Sequence, residues 1–172
     1  TKDLAQNQWE QQRESMKHLV SVAESCGVRL YVENMEHRSM EIVVSPEDLE
    51  RLMDEVGSDS LQITLDVAHV STVKDIDLSE YVNRLRGFGH VHLSDSKPGR
   101  THVPLGEGQL DLVSVIRELS KRYEGFVTIE GYVPGRELEV MEHNHEYWQE
   151  LVRRADQSNG ELSYERPKGG DA

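Results

Sequence analysis

The sequence has almost no cysteine and no long apolar run. Its single cysteine, Cys26, cannot form an internal disulfide. Because it lies just before a predicted strand, we expect a buried, reduced thiol. No stretch approaches the roughly 20 apolar residues that span a membrane, and the first ten residues are too polar for a secretory signal. These absences favour a cytoplasmic protein with no membrane partner.

Basic residues are also scarce, with 19 Lys and Arg against 32 Asp and Glu and a formal net charge of −13. A chain this acidic repels polyanions, and no run of basic residues offsets the overall field. We therefore do not expect nucleic acid as a partner. A solvated acidic surface is the simplest explanation of the charge.

The 172 residues suffice for one domain with a hydrophobic core, and their apolar spacing switches repeatedly between strand and helix patterns. A leading amphipathic helix covers Leu4 to Cys26 and ends at Gly27. Four units of a short strand and an amphipathic helix follow. The predicted strands are Val28–Asn34, Leu61–Asp66, a segment ending at His92, and Gly125–Glu130; the predicted helices are Pro46–Val56, Asp77–Leu85, Asp111–Tyr123 and Leu138–Arg154.

This repetition predicts an α/β fold with parallel strands joined by right-handed crossovers. We expect residues 1–155 to form the domain. Residues 156–172, rich in Gly, Ser and charge, are predicted to be a disordered tail. The Gly- and Pro-containing segment between His92 and Asp111 predicts a long polar loop.

Each predicted strand ends on a side chain that can bind a metal: Glu33, Asp66, His92 and Glu130. The carboxyl ends of parallel strands open onto one face, so these four groups should meet. Three carboxylates at one point repel one another unless a cation neutralises them, and this donor set suits one divalent ion, Mn, Mg, Co or Zn. Taken singly, each residue is better explained as a polar strand end that meets solvent or a helix N-terminus. The coincidence at all four strands favours the metal.

Three further residues are candidates for the same face. His69 follows Asp66 by three residues and is either a group beside the metal site or a surface histidine that opens the next helix. Arg100 and His102 lie in the long loop. A guanidinium there would hold hydroxyls, a phosphate or a carboxylate. Alternatively, Arg100 faces water and His102 packs against Pro104.

Five segments, in order, resemble the xylose isomerase-like TIM-barrel superfamily, which contains sugar isomerases, ketose 3-epimerases, inosose dehydratases and endonuclease IV. The segments are Tyr31–Asn34, Thr64–His69, His92–Lys97, His102–Gly108 and Thr128–Glu130. The resemblance implies that the chain is the C-terminal half of a (β/α)8 barrel, with four parallel βα units and a leading helix. The strands would be barrel strands five to eight.

The resemblance also implies roles. Glu33, Asp66, His92 and Glu130 would be the metal ligands, and the metal would polarise a sugar carbonyl and its neighbouring hydroxyl. Glu33 and Glu130 would be catalytic, moving the proton next to that carbonyl through an enediolate. The substrate-binding residues would be His69, Arg100 and His102. The predicted activity is that of a metal-dependent sugar or sugar-phosphate isomerase or epimerase.

Two alternatives remain open. An abasic-site nuclease like endonuclease IV would need an Asp at the position of Arg100, and a cation there disfavours the third zinc of that site. A non-catalytic assembly module is the other alternative, because only four βα units are present and half a barrel leaves two open sheet edges. Either an N-terminal half-barrel is missing from this chain or two copies pair as a homodimer.

Overall fold

The computed structural model describes residues 2–38 and 41–157 of the chain. Their helices and strands alternate as the apolar pattern predicts. The elements are α1 (Lys2–Cys26), β1 (Leu30–Glu33), α2 (Pro46–Val56), β2 (Leu61–Asp66), α3 (Val67–Val70), α4 (Leu78–Arg84), β3 (His90–Leu93), β4 (Asp95–Lys97), β5 (Arg100–Val103), α5 (Leu112–Ser120), β6 (Val127–Ile129) and α6 (Glu137–Gln157). The four-stranded sheet has the order β1-β2-β3-β6, and each neighbouring pair is parallel. The prediction of four parallel βα units after a leading helix is confirmed.

The termini of α2 illustrate how the sequence sets the element boundaries. Ser45 Oγ accepts from the backbone N–H of Asp48, and the Asp48 carboxylate accepts from the backbone N–H of Ser45 at 2.9 Å. Pro46 occupies the first turn, where a missing N–H costs nothing. Gly57 ends the helix with a φ of 68°.

The sheet has one apolar face and one polar face. Alternate residues such as Val32, Ile63 and Val91 are buried and form one core cluster with Leu49 of α2 and Leu112 of α5. The intervening residues point to the opposite face because side chains alternate along a strand. This polar face includes Tyr31, Gln62, His90 and Thr128, and it ends in the acids at the strand termini. The alternation that builds the core therefore also sets the direction of the site residues.

The segment between β3 and α5 differs from the prediction of a plain loop. It contains an antiparallel hairpin of β4 and β5 with Pro98 and Gly99 at its turn. Gly99 has a φ of 77°, which a residue without Cβ adopts readily. Both strands are short and mostly polar, so their sequence lacks the apolar alternation that would have predicted them.

The exposure of Cys26 and the extent of α6 both differ from the sequence prediction. The prediction of a buried Cys26 is wrong: the thiol lies on the last turn of α1 and is exposed. Most of the predicted disordered tail lies outside the described residues, while Asp156 and Gln157 still belong to α6. Among the described helices, none combines the length and the apolar character needed to cross a bilayer.

The buried Asp95 stabilises the segment that follows the hairpin. Its side chain is 1 % exposed, and its carboxylate accepts backbone N–H groups from Ser96, Gly106, Gly108 and Leu110 at 2.8 to 3.1 Å. Removing the carboxylate takes the partner from four backbone donors, of which Ser96 is buried and Gly108 and Leu110 are half-buried, at about 1–3 kcal/mol for each donor that water does not reach. Asp95→Ala should therefore lower the free energy of unfolding by at least about 3 kcal/mol in urea titrations.

The matched control for this prediction is Asp59→Ala, since Asp59 is an exposed acid. Its substitution should change the free energy of unfolding by less than about 0.5 kcal/mol. Equal stability of the two variants would contradict the role of Asp95.

Candidate metal centre

Four side chains of the types that bind metals meet at the carboxyl end of the sheet. Glu33 ends β1, Asp66 ends β2, His92 lies in β3 and Glu130 follows β6. One ligand atom from each lies within 4.8 Å of the others. His92 Nδ1 lies 3.3 Å from Glu33 Oε2 and 3.1 Å from Glu130 Oε1. The four side chains thus occupy one site, as the strand-end pattern leads one to expect, while their role as ligands is still a prediction.

Two atoms of this site, Asp66 Oδ2 and His92 Nδ1, are buried and make no hydrogen bond in the described part of the chain, although His92 Nδ1 lies within ion-pair distance of Glu33 and Glu130. An unsatisfied buried polar atom costs about 1–3 kcal/mol, and a charged one costs more. Both atoms belong to residues of the group that converges at this site. Three carboxylates and an imidazole form a donor set that Mn, Mg, Co and Zn accept. The residues present therefore fit one divalent cation.

Asn34 fixes the position of Asp66. Its buried amide donates to Asp66 O at 3.1 Å and accepts from Asp66 N at 2.8 Å. The Asp66 carboxylate in turn caps α3, since Oδ1 accepts from His69 N at 2.7 Å. Sequence reasoning did not assign Asn34, although an amide directly after Glu33 at a buried strand end was the available signal. One side chain thus ties the ends of β1 and β2 together.

The pKa values show how the charges are balanced. Burial raises the pKa of Asp66 to about 6, although His69 opposes the shift. For His69, burial lowers the pKa, but contact with Glu33 and the charge of Asp66 outweigh burial and raise the pKa to about 9. Burial likewise opposes a net lowering of the Glu33 pKa by His69 and His92. Without a bound cation, protonated His69 supplies the positive charge that compensates the neighbouring carboxylates.

His69 and His102 lie beside this site with Glu36 as a third partner. One ligand atom from each lies within 4.8 Å of the others. The two Nε2 atoms are 2.9 Å apart, and Glu36 Oε1 lies 3.9 Å from His69 Nε2. His102 has a φ of 54°, an uncommon conformation for a residue with a side chain. Sequence reasoning missed Glu36, because it follows β1 by three residues and carries no strand-end signal.

Arg100 does not join either group. It is exposed at the start of β5 and lines a neighbouring cavity of about 680 Å³. Glu36 also lines this cavity, so the cavity adjoins the histidine pair. Of the three predicted substrate-binding residues, the structure brings His69 and His102 together and places Arg100 beyond them.

Several known proteins are similar to this chain in sequence or in fold. A protein of Methanocaldococcus jannaschii with no assigned function is 29% identical over 122 residues, which cover 67% of this chain and 41% of that protein. The D-psicose 3-epimerase of Ruminiclostridium cellulolyticum is 23% identical over 155 residues, or 87% of this chain and 49% of the enzyme. The structure of an L-ribulose 3-epimerase superposes with a TM-score of 0.76 at 15% identity, covering 92% of this chain and 59% of the other. At that identity the superposition shows the fold alone.

The chain spans about half the length of the curated relatives it matches. Its four parallel strands are accordingly half of the eight that close a (β/α)8 barrel. The family model described as xylose isomerase-like TIM barrel matches residues 1–157. This chain belongs to the xylose isomerase-like TIM-barrel family.

Proposed function

We propose that this chain carries the metal centre of a divalent-metal-dependent sugar or sugar-phosphate isomerase or epimerase. The observation that carries the proposal is the convergence of four strand-end residues, each with one ligand atom within 4.8 Å of the others. Two of these residues, Asp66 and His92, also have a buried side-chain atom that makes no hydrogen bond to the described residues. Similarity to a D-psicose 3-epimerase supports the reaction class. The substrate would be a sugar with a carbonyl group.

The residues for the reaction follow from the sheet order. Glu33, Asp66, His92 and Glu130 would hold one Mn, Mg, Co or Zn ion, which when bound polarises the sugar carbonyl. Glu33 ends one outer strand of the sheet and Glu130 directly follows the other, so a sugar bound over the metal would have a carboxylate on each side. One carboxylate removes the proton next to the carbonyl, and the other returns a proton to the opposite face. The pKa of Glu33 is lowered by its contacts with His69 and His92, against the effect of burial, so its carboxylate is ionised at neutral pH, as a proton acceptor must be.

Substrate oxygens would be held by the residues beside the metal ligands. His69 has its Nδ1 next to Asn34 O at 2.8 Å, which directs Nε2 away from the backbone. His102 Nδ1 lies 3.2 Å from Ser94 Oγ, which directs its Nε2 toward the same point. We assign both rings to binding of sugar hydroxyls, and Arg100 to a part of the substrate farther from the metal.

Metal analysis combined with an epimerisation assay tests the proposal. The chain should bind one divalent cation, and ketoses should exchange the hydrogen next to the carbonyl with solvent deuterium. Glu33→Gln and Glu130→Gln should each lower the rate by about 10²–10⁴-fold, the usual contribution of a positioned acid or base. Glu142→Gln, at an exposed position on α6, is the matched control and should keep full activity. Undiminished activity in both site variants would refute the assigned roles.

Sedimentation should accompany this assay, because the four-stranded sheet has two outer strands. A metal-loaded dimer supports pairing of two half-barrels, and restored activity on addition of an N-terminal half-barrel supports a divided barrel. A metal-free, inactive monomer supports the non-catalytic module instead.

One observation favours an abasic-site nuclease as a second candidate. Glu36, His69 and His102 offer a carboxylate and two imidazoles for another cation, although Arg100 stands where endonuclease IV has an Asp. The net charge of −13 opposes DNA binding. More than one zinc per chain together with cleavage of abasic DNA would decide for the nuclease.

A further inference from the structure

The cavity next to the histidine pair is positively lined in an otherwise acidic chain. Three basic side chains, Arg38, Lys97 and Arg100, line its volume of about 680 Å³ with a single carboxylate, Glu36. The whole chain has a formal net charge of −13. The lining of this cavity is therefore positively charged although the chain as a whole is negatively charged, and such a lining favours binding of an anion. We call it the hairpin cavity, because Lys97 and Arg100 belong to the β4–β5 hairpin.

Contacts within the cavity already neutralise its one carboxylate. Glu36 forms an ion pair with Arg38 and accepts a hydrogen bond from the Thr101 hydroxyl. Although burial opposes it, these contacts lower the pKa of Glu36, so its charge is matched by Arg38. The side chains of Lys97 and Arg100 have no ion pair or hydrogen bond with any described residue. Two cations in the cavity are thus available to a ligand.

The hairpin holds these two cations opposite each other. Lys97 on β4 pairs in register with Arg100 on β5, across a turn of Pro98 and Gly99. Like charges directly opposite on paired strands destabilise the pair. The chain contains 32 acidic residues, yet among the described residues the one carboxylate in the lining of the cavity, Glu36, is paired with Arg38 instead. A bound anion would remove the repulsion.

The hairpin also sets the separation between the cations and the reaction centre. Arg100 and His102 are two residues apart on β5, which corresponds to roughly 7 Å of strand. His102 contacts His69 beside the metal ligands. An extended five- or six-carbon sugar can span such a distance, with its carbonyl end at the metal and its far end at the hairpin.

We propose that the hairpin cavity binds the phosphate group of a sugar-phosphate substrate through Lys97 and Arg100. A guanidinium binds two phosphate oxygens side by side, and an ammonium adds a point charge. This inference rests on the proposed function, since the sugar end of the substrate would occupy the metal centre. It selects sugar phosphates over free sugars as the substrate class.

Calorimetric titration with inorganic phosphate tests the site without requiring activity. Lys97→Met and Arg100→Met should each weaken phosphate binding about tenfold or more, as expected for a lost charge-assisted hydrogen bond. Lys17→Met is the matched control, because Lys17 is exposed on α1, far along the chain from the hairpin, and it should bind phosphate as the wild type does. Equal affinity in all four proteins would overturn the proposal.

Kinetics with D-fructose 6-phosphate, D-fructose and D-gluconate then separate the outcomes. Under Mn²⁺ the phosphate ester should have the lowest KM, and Lys97→Met should raise that KM about tenfold, which is more than it raises the KM of D-fructose. Preference for D-fructose, or stronger inhibition by D-gluconate than by inorganic phosphate, would overturn the phosphate assignment. If phosphate binding depends on Lys97 and Arg100 but neither sugar is turned over, the hairpin cavity is still a phosphate site, and the result counts against the proposed isomerase or epimerase function.

Discussion

Replacing Asp66 by Asn should leave the metal-free protein at least as stable as the wild type and abolish its stabilisation by Mn²⁺. Asp66 is fully buried, and burial raises its pKa from 3.8 to about 6. Because the folded pKa is raised, stability present below pH 4 is lost as the pH rises through 6, and at pH 7.5 the ionised carboxylate costs on the order of 1–3 kcal/mol. Asn keeps the oxygen that caps α3 through His69 N.

Thermal unfolding at pH 7.5 with and without Mn²⁺ measures both effects. A cation at one hundred times its Kd should raise the free energy of unfolding of the wild type by about 2.7 kcal/mol. For Asp66→Asn, Mn²⁺ should leave the free energy of unfolding unchanged. Asp59→Asn, at an exposed acid, should respond to Mn²⁺ like the wild type. A variant at Asp66 that Mn²⁺ still stabilises would show that the ion binds elsewhere.

Asn34→Ala should combine a large loss of stability with a large loss of metal affinity. The substitution leaves the N–H and C=O of Asp66 without their side-chain partner in a fully buried position. Two unsatisfied backbone groups should lower the free energy of unfolding by about 2–5 kcal/mol. Loss of the support behind a ligand should also weaken Mn²⁺ binding about 10- to 100-fold. Urea titration and Mn²⁺ calorimetry measure the two quantities.

Asn83→Ala is the control for this variant. Asn83 is exposed on α4 and makes one long hydrogen bond of 3.5 Å with Ser79. Its loss should change unfolding by less than about 0.5 kcal/mol and leave Mn²⁺ affinity unaltered. If Asn34→Ala kept wild-type Mn²⁺ affinity, Asn34 would have a structural role only.

The parts of the fold that follow from local rules were predictable. Gly27 and Gly57 end helices in the left-handed conformation that glycine favours, and Ser45 with Asp48 forms the expected capping box. The ends of β1 and β2 also agree with the prediction, because each strand ends at its acidic residue, Glu33 or Asp66. Parallel topology then brings those ends together without any long-range information in the sequence.

The parts that depend on tertiary contacts were not predictable. The β4–β5 hairpin is polar, and its first residue, Asp95, accepts from backbone groups up to 15 residues ahead, which no local pattern reveals. Glu36 reaches the histidine pair only because the loop after β1 folds back to Thr101. Cys26 is exposed at the C-terminal end of α1 and does not join the core, which local sequence does not reveal.

Diffraction at the manganese absorption edge, from crystals grown with Mn²⁺, tests the metal centre most directly. We predict one anomalous peak per chain at about 2.0–2.3 Å from a carboxylate oxygen of each of Glu33, Asp66 and Glu130 and from Nδ1 of His92. The absence of any peak among these four side chains at saturating Mn²⁺ would contradict the assignment.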